Sequence, residues 1–447
     1  MAATWQTTFP NDHMLAKLLN TAKSTDEDII HDAYGFDKTY AQLLGDIVKT
    51  RDSLRACLPP ASLNSQGLLN QDDLYIAILT SSGYEFTVAL LAVRALGGAG
   101  MPFAPKIPLD EAKTFVKSAK SKCILSSRFL IDKGNQISKH IQQDGHGAIS
   151  VLPISSDAPS LAALEVDIDE SLQVNPQSPG LVICTSGTTG PPKGAVLPKC
   201  WLNIPSRLEP DGASISHRPP HWIGGATKKI THMGFNPGLL RQLKDVYTYE
   251  LMNLPDDERE QYLNGFRNIV KMSSSGSMLP PQLQQFWTTL SGRSFEILYG
   301  STETGLVALK ADAQKPSKLE HSIGTPWPGV SIKLSEGDEG EILVKHPMIF
   351  LYYLGNEEAT EAAFDDEGYV KLGIMRILSK ASLEMNSISH DALTLHRIRS
   401  DLSTTLSDYM LPEQLRIMED GEEVPQTVSL KPIKREILKQ YFGVTGL

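Results

Sequence analysis

Residues 75–79, YIAIL, form an unbroken apolar run, followed by Ser81-Ser82-Gly83 and then Phe86, Ala89, Leu90, Val93 and Leu96 at three- and four-residue spacing. A strand with one wet face alternates apolar and polar residues. A short continuous run instead suits a strand covered on both faces. The spacing that follows is one face of a helix, and Gly97-Gly98 is where such a helix ends. A second helix is expected from Pro108 through Ala119, before the strand-like CILSS at 123–127. Strand, helix, strand with connections this short reads as a right-handed crossover in a parallel sheet. The fold class is therefore α/β.

The chain has 447 residues, enough for about two to three domains. Hydrophobic residues make up 41% and charged residues 21%, the balance of an ordinary globular protein. A net charge of -10 argues against a general nucleic-acid surface, which needs clustered Lys and Arg. It does not argue against one anionic nucleotide held by backbone N–H groups. Cys57, Cys123, Cys184 and Cys200 are widely spaced with no C-x-x-C pair, so neither a disulfide framework nor a zinc site is expected. The first residues, MAATWQTTFPNDHML, lack a basic region followed by an apolar core, and VTGL is not an S-K-L address. With no apolar run near the ~20 residues a membrane span needs, a cytoplasmic protein is expected.

Leu181 to Gly194, LVICTSGTTGPPKG, carries the chemistry. Its apolar start is a buried strand. The rest is crowded with Thr185, Ser186, Gly187, Thr188, Thr189 and Gly190, then two prolines and Lys193. Small residues let backbone N–H groups approach a phosphate, hydroxyls add donors, and Lys193 adds a positive charge. The plain alternative is a surface loop rich in turn formers. No Gly-Lys-Ser/Thr closes a Walker pattern.

TSGTTGPPKG resembles the phosphate-binding signature of the adenylate-forming superfamily, which includes acyl-CoA synthetases, peptide-synthetase adenylation domains and luciferases. A second signature, Tyr299-Gly300-Ser301-Thr302-Glu303-Thr304-Gly305, follows a strand-like FEIL about a hundred residues downstream. The resemblance implies that Thr302 touches the α-phosphate of ATP and that Glu303 helps to hold Mg²⁺. A metal that bridges phosphates does need a hard carboxylate oxygen. Ser274-Ser275-Gly276-Ser277 stands where the family packs a small-residue loop against adenine. The segments IGTPWPGVSIKL, GEILVKHPMIFLYY and ATEAAFDDEGY, between Ile323 and Tyr369, are similar to the run before the family's hinge. The likeness spans most of residues 38–447, with gaps. The implied fold is a large N-terminal adenylation domain of parallel and mixed sheets flanked by helices, residues 1–375. A reduced, truncated α+β lid, residues 376–447, would follow.

Departures from the pattern come in blocks. The family's ribose-binding Asp follows a GY-x-x-T-G-D run, whereas here the run is Gly368-Tyr-Val-Lys-Leu-Gly-Ile374. Two hydrogen bonds to a charged group, ~1.5–3 kcal/mol each, correspond to roughly 10²- to 10⁴-fold in ATP affinity. His217-Arg-Pro-Pro-His221-Trp222-Ile-Gly224-Gly225 resembles the acyl-pocket motif, which would make His221, Trp222 and Gly224 pocket wall. Tens of residues that should follow it are missing. A metal pair from His217 and His221 is the alternative, opposed by the two prolines between them, which forbid a helix. ILSKASLEM after Arg376 resembles the hinge, with Lys380 and Glu384 replacing Arg and Asp, and Lys380 is grouped with the nucleotide-binding residues. The glycine-rich loop that guides the pantetheine thiol is not recognisable. An amphipathic helix (Leu395, Ile398, Leu402, Leu406), a strand at LPEQLRIME and a basic tail helix at KREILKQYF are expected in the lid. Pro425-Gln-Thr-Val-Ser-Leu-Lys431 matches P-x-x-x-x-G-K except at Leu430. Lys431 is then the lysine that enters the site during adenylation, or else a solvated lysine of the terminal helix. Deletion and mis-called splice sites both produce such blocks.

The resemblance implies a ligase that uses ATP, Mg²⁺ and CoA to activate a small-molecule carboxylic acid, with a place in a secondary-metabolite pathway. Thr302 and Lys431 are its catalytic candidates. A catalytically impaired remnant that binds nucleotide or partners, and an adenylating enzyme with a non-CoA acceptor, stand as alternatives. Neither the acid nor the oligomeric state is legible.

Overall fold

The computed structural model describes residues 7–24, 28–32, 34–81, 83–145, 147, 149–185, 193–203, 232–267, 271–277, 279–305, 307–312, 324–336, 339–372, 437 and 439–441. Its centre is a seven-stranded sheet. In spatial order the strands are Tyr352–Tyr353, Lys193–Pro198, Pro179–Thr185, Ala99–Phe103, Tyr75–Leu79, Cys123–Ser126 and Ser150–Pro153. The five from Pro179–Thr185 onward are parallel, and the other two add antiparallel.

The YIAIL run is an interior strand of this sheet, flanked by Ala99–Phe103 and Cys123–Ser126, and all five of its residues are buried. Ile76 and Ile78 belong to one hydrophobic core, while Tyr75, Ala77 and Leu79 belong to another. The two-residue period of a strand sends alternate side chains to opposite faces. Helices Tyr84–Ala95 and Tyr40–Cys57 join the first core, and Leu109–Ser118 and Ile131–Gln143 the second. The helix after Gly83 ends as expected. Gly97 takes φ +72°, and the Gly98 N–H bonds back to Val93 O at 3.0 Å. The second expected helix is Leu109–Ser118 and the CILSS strand is Cys123–Ser126.

A second sheet has the order His232–Phe235, Lys271–Ser274, Phe295–Tyr299, Leu309–Asp312, Thr325–Pro326. The first three strands are parallel and the last two antiparallel. Phe235, Met272 and Phe295 from the parallel strands pack with Leu240, Leu283 and Trp287 from helices Pro237–Tyr249 and Pro281–Ser291. The Trp287 indole N–H is satisfied by Leu240 O at 3.0 Å. A third sheet joins Ser331–Glu336, Glu339–Lys345 and Val370–Lys371. The chain is thus mixed α/β, with sheets flanked by helices.

The expected boundary near residue 375 and the lid lie outside the described residues, as do its first helix and its strand. Only Ile437, Lys439, Gln440 and Tyr441 of the tail are described, and they are helical.

Candidate active site

Parallel strands present their C-terminal ends along one edge, where loops are free to carry ligand-binding groups. Both quoted signatures leave such ends. Pro179–Thr185 runs out at Thr185, and the chain returns as Lys193–Pro198 with Lys193 paired to Thr185. The Thr185 hydroxyl donates to Lys193 O at 3.1 Å and locks the neck of this hairpin. Ser186, Gly187, Thr188, Thr189 and Gly190, between these two strands in sequence, lie outside the described residues. In the second sheet, Lys271–Ser274 and Phe295–Tyr299 run the same way. Ser275, Gly276 and Ser277 therefore leave the same edge as Gly300, Ser301, Thr302 and Glu303. Gly276 takes φ +91°, and the Ser275 N–H donates to Phe235 O at 3.0 Å.

The turn after Tyr299 is held from within and from two sides. Within it, the Ser301 N–H donates to Thr304 Oγ1 (2.9 Å), the Thr304 hydroxyl to Ser301 O (2.9 Å) and the Gly305 N–H to Thr302 O (3.0 Å). From one side the buried indole of Trp201, just past the hairpin, donates to Gly305 O. From the other, Phe350 N donates to Glu303 O at 2.8 Å, and His346 Nε2 meets Thr304 O at 2.5 Å. His346 Nδ1 accepts from the Met348 N–H at 3.1 Å, so the ring proton sits on Nε2 and donates. Burial lowers the pKa of this histidine, partly opposed by its bond to Thr304, and favours the neutral ring.

Gly305 takes φ +67°, and a Cβ there would lie 1.9 Å from the backbone oxygen of Met348. Gly305→Ala is accordingly expected to cost roughly 2–4 kcal/mol. Its midpoint in urea unfolding should fall, because neither the φ nor the facing carbonyl can relax cheaply. An unchanged midpoint would mean that the turn is held otherwise.

The two signatures meet at Tyr353, which the sequence reading did not single out. Its hydroxyl donates to Glu303 Oε1 at 2.8 Å, and Lys193 Nζ stands over its ring, 4.8 Å from the centroid. Tyr353 reaches this point because the 346–354 segment is stitched to the hairpin. Ala195 and Val196 pair with Tyr353 and Tyr352, Leu351 N donates to Val196 O (2.7 Å), and Leu354 N donates to Gly194 O (2.8 Å). Burial and the Glu303 carboxylate both push the phenol above its ordinary pKa, so it stays a donor.

A divalent cation fits this arrangement. Glu303 is half-buried, and one of its oxygens is held by Tyr353. Mg²⁺ commonly takes one or two carboxylates and completes its shell with phosphate oxygens and water. No cluster of three or more His, Cys, Asp or Glu that could cage a metal occurs among the described residues. Of the other expected site residues, His221, Trp222, Gly224, Lys380 and Lys431 lie outside the described residues, as does the His217 alternative.

The family model described as AMP-binding enzyme matches residues 55–199 and 214–354, more than half of the chain, and the chain belongs to that family. The acyl-CoA ligase oryP of Aspergillus oryzae is 28% identical over 524 residues, covering 97% of this chain and 93% of its own. That alignment is longer than this chain, so the Aspergillus protein carries segments with no counterpart here. The malonate–CoA ligase of Arabidopsis thaliana is 24% identical, over 67% of this chain and 57% of its own length. Among solved structures, ATP-bound MatB from Rhodopseudomonas palustris superposes with a TM-score of 0.68 at 18% identity, covering 95% of this chain and 99% of that one. At that identity the likeness is one of fold.

Proposed function

We propose that this chain is an ATP-dependent, AMP-forming acyl-CoA ligase that converts a carboxylic acid to its acyl-adenylate and then to its CoA thioester. The observation that carries the reading is the meeting of Lys193 and Glu303 on one tyrosine, which joins the hydroxyl-rich hairpin to the acidic turn. Family membership and the acyl-CoA ligases among its relatives support it.

In the first step a carboxylate oxygen bonds to the α-phosphorus, and the bond to the β-bridging oxygen breaks, releasing pyrophosphate. Both reactants are anionic, so the site must offset charge and hold them in line. In our assignment the Thr185–Thr189 stretch, with Gly190 and Lys193, cradles the β- and γ-phosphates, and Thr302 contacts the α-phosphate. Ser275, Gly276 and Ser277 line the adenine side with Tyr299, Gly300 and Ser301. Glu303 holds Mg²⁺, which when bound offsets charge between phosphates. Lys431 and Lys380, from a lid spanning 376–447, and the pocket wall His221, Trp222 and Gly224 complete the assignment. In the second step the CoA sulfur bonds to the acyl carbon, AMP leaves, and the thiol proton passes to solvent.

No helix among the described residues is long and apolar enough to cross a membrane. We place the activity in the cytoplasm, supplying an acyl thioester to a biosynthetic pathway. Ile374 favours a second reading, a nucleotide-binding remnant without turnover. Carboxylate-dependent exchange of labelled pyrophosphate into ATP, across a broad acid panel, is expected for the ligase. CoA-dependent AMP release then separates it from an adenylating enzyme with another acceptor. Folded protein with no exchange for any acid would leave the remnant.

A further inference from the structure

We propose that Tyr353 is a positioning residue for the metal carboxylate, holding Glu303 in the pose that receives a nucleotide-bound divalent cation while its ring seats Lys193. The inference rests on the ligase reading and deepens it. The phenol hydroxyl takes up Glu303 Oε1 at 2.8 Å, and no second partner of that side chain occurs among the described residues. One carboxylate oxygen is thereby committed and the other left for the cation. A glutamate has three side-chain torsions to fix, and a single donor on a half-buried, sheet-paired residue fixes the last of them.

The ring does a second task. Lys193 lies over its face, the geometry in which an ammonium is drawn to the π-cloud. Tyr353 itself cannot drift. Its backbone is paired to Ala195, its N–H donates to Thr360 Oγ1 at 2.9 Å, and its ring packs against Phe350 with centroids 4.8 Å apart. Two cationic elements, one from the protein and one carried with the nucleotide, are thus set from a single rigid side chain. Tyrosine suits this position because it is a neutral donor. A lysine or arginine there would compete with the cation for the carboxylate.

The test measures binding of a non-hydrolysable ATP analogue by calorimetry, with saturating Mg²⁺ and with EDTA, and takes the ratio of the two affinities. Wild-type protein is expected to gain affinity from Mg²⁺. Tyr353→Phe, which keeps the ring over Lys193, is expected to lose about 10-fold of that gain while its affinity in EDTA stays unchanged. Glu303→Gln should lose the gain too, and adding Tyr353→Phe to it should change nothing further. A merely structural tyrosine would lower both affinities and would act in either background. A Mg²⁺ gain that survives Tyr353→Phe, or a tyrosine effect that persists without the carboxylate, overturns the proposal and leaves the ligase reading standing. Wild-type protein that binds the analogue in neither condition overturns both.

Discussion

Glu303→Ala is expected to lower carboxylate-dependent pyrophosphate exchange by about 10²- to 10³-fold, the usual loss when a preset group that offsets transition-state charge is removed. Its thermal stability should stay near that of the wild type, because the turn is not held by this side chain. Glu303 is fixed through its backbone, whose carbonyl accepts from Phe350 N at 2.8 Å, and its neighbours are clasped by Trp201 and His346. Only the Tyr353 bond is lost, at a half-buried position. Exchange kinetics alongside a melting curve check the pair of outcomes. A variant that melts early would make Glu303 structural, and one that keeps full exchange would remove it from the metal site. Gly305→Ala, two residues along, is expected to do the reverse and damage the fold first.

Ile374→Asp is expected to raise ATP affinity by roughly 10²- to 10⁴-fold. Position 374 stands where the family's run places the carboxylate for both ribose hydroxyls, and an isoleucine offers them no acceptor. The described stretch 339–372 ends just short of it. Val370–Lys371 pairs with Leu343 and Val344, and Leu372 N donates to Ile342 O at 3.3 Å. An anchored strand thus delivers the chain to within two residues of that position. Equilibrium binding of ATP, compared between wild type and variant, gives the result. Unchanged affinity would mean that the nucleotide's ribose is not held from this position.

The parts of the molecule legible in advance are those with local signals. YIAIL and LVIC are strands because apolar runs this short have nowhere to go but the interior of a sheet, and both lie fully or largely buried. The hydroxyl-rich TSGTTG stretch and the YGSTETG turn stand out because small and polar residues gather where strands end. Tyr353, His346 and Trp201 carry no such mark. Each acts across a long stretch of chain, Tyr353 on Glu303, His346 on Thr304, Trp201 on Gly305. Within their own segments they read as ordinary apolar or aromatic positions. GEILVKHPMIFLYY was recognisable as a familiar run, but its chemistry lies in partners that only tertiary folding supplies. The acyl-pocket residues His221, Trp222 and Gly224 and nearly all of the expected lid at 376–447 lie outside the described residues.

The seven-stranded sheet has one further consequence. A layer this apolar on both faces would make a dangerous template for recruiting strands from other chains, and proteins blunt such margins. Among the described residues one margin is Tyr352–Tyr353, only two residues long, and the other is Ser150–Pro153, which closes on a proline that lacks an amide hydrogen. The short run that brings Tyr353 to its station therefore also leaves an incoming strand little edge to pair with.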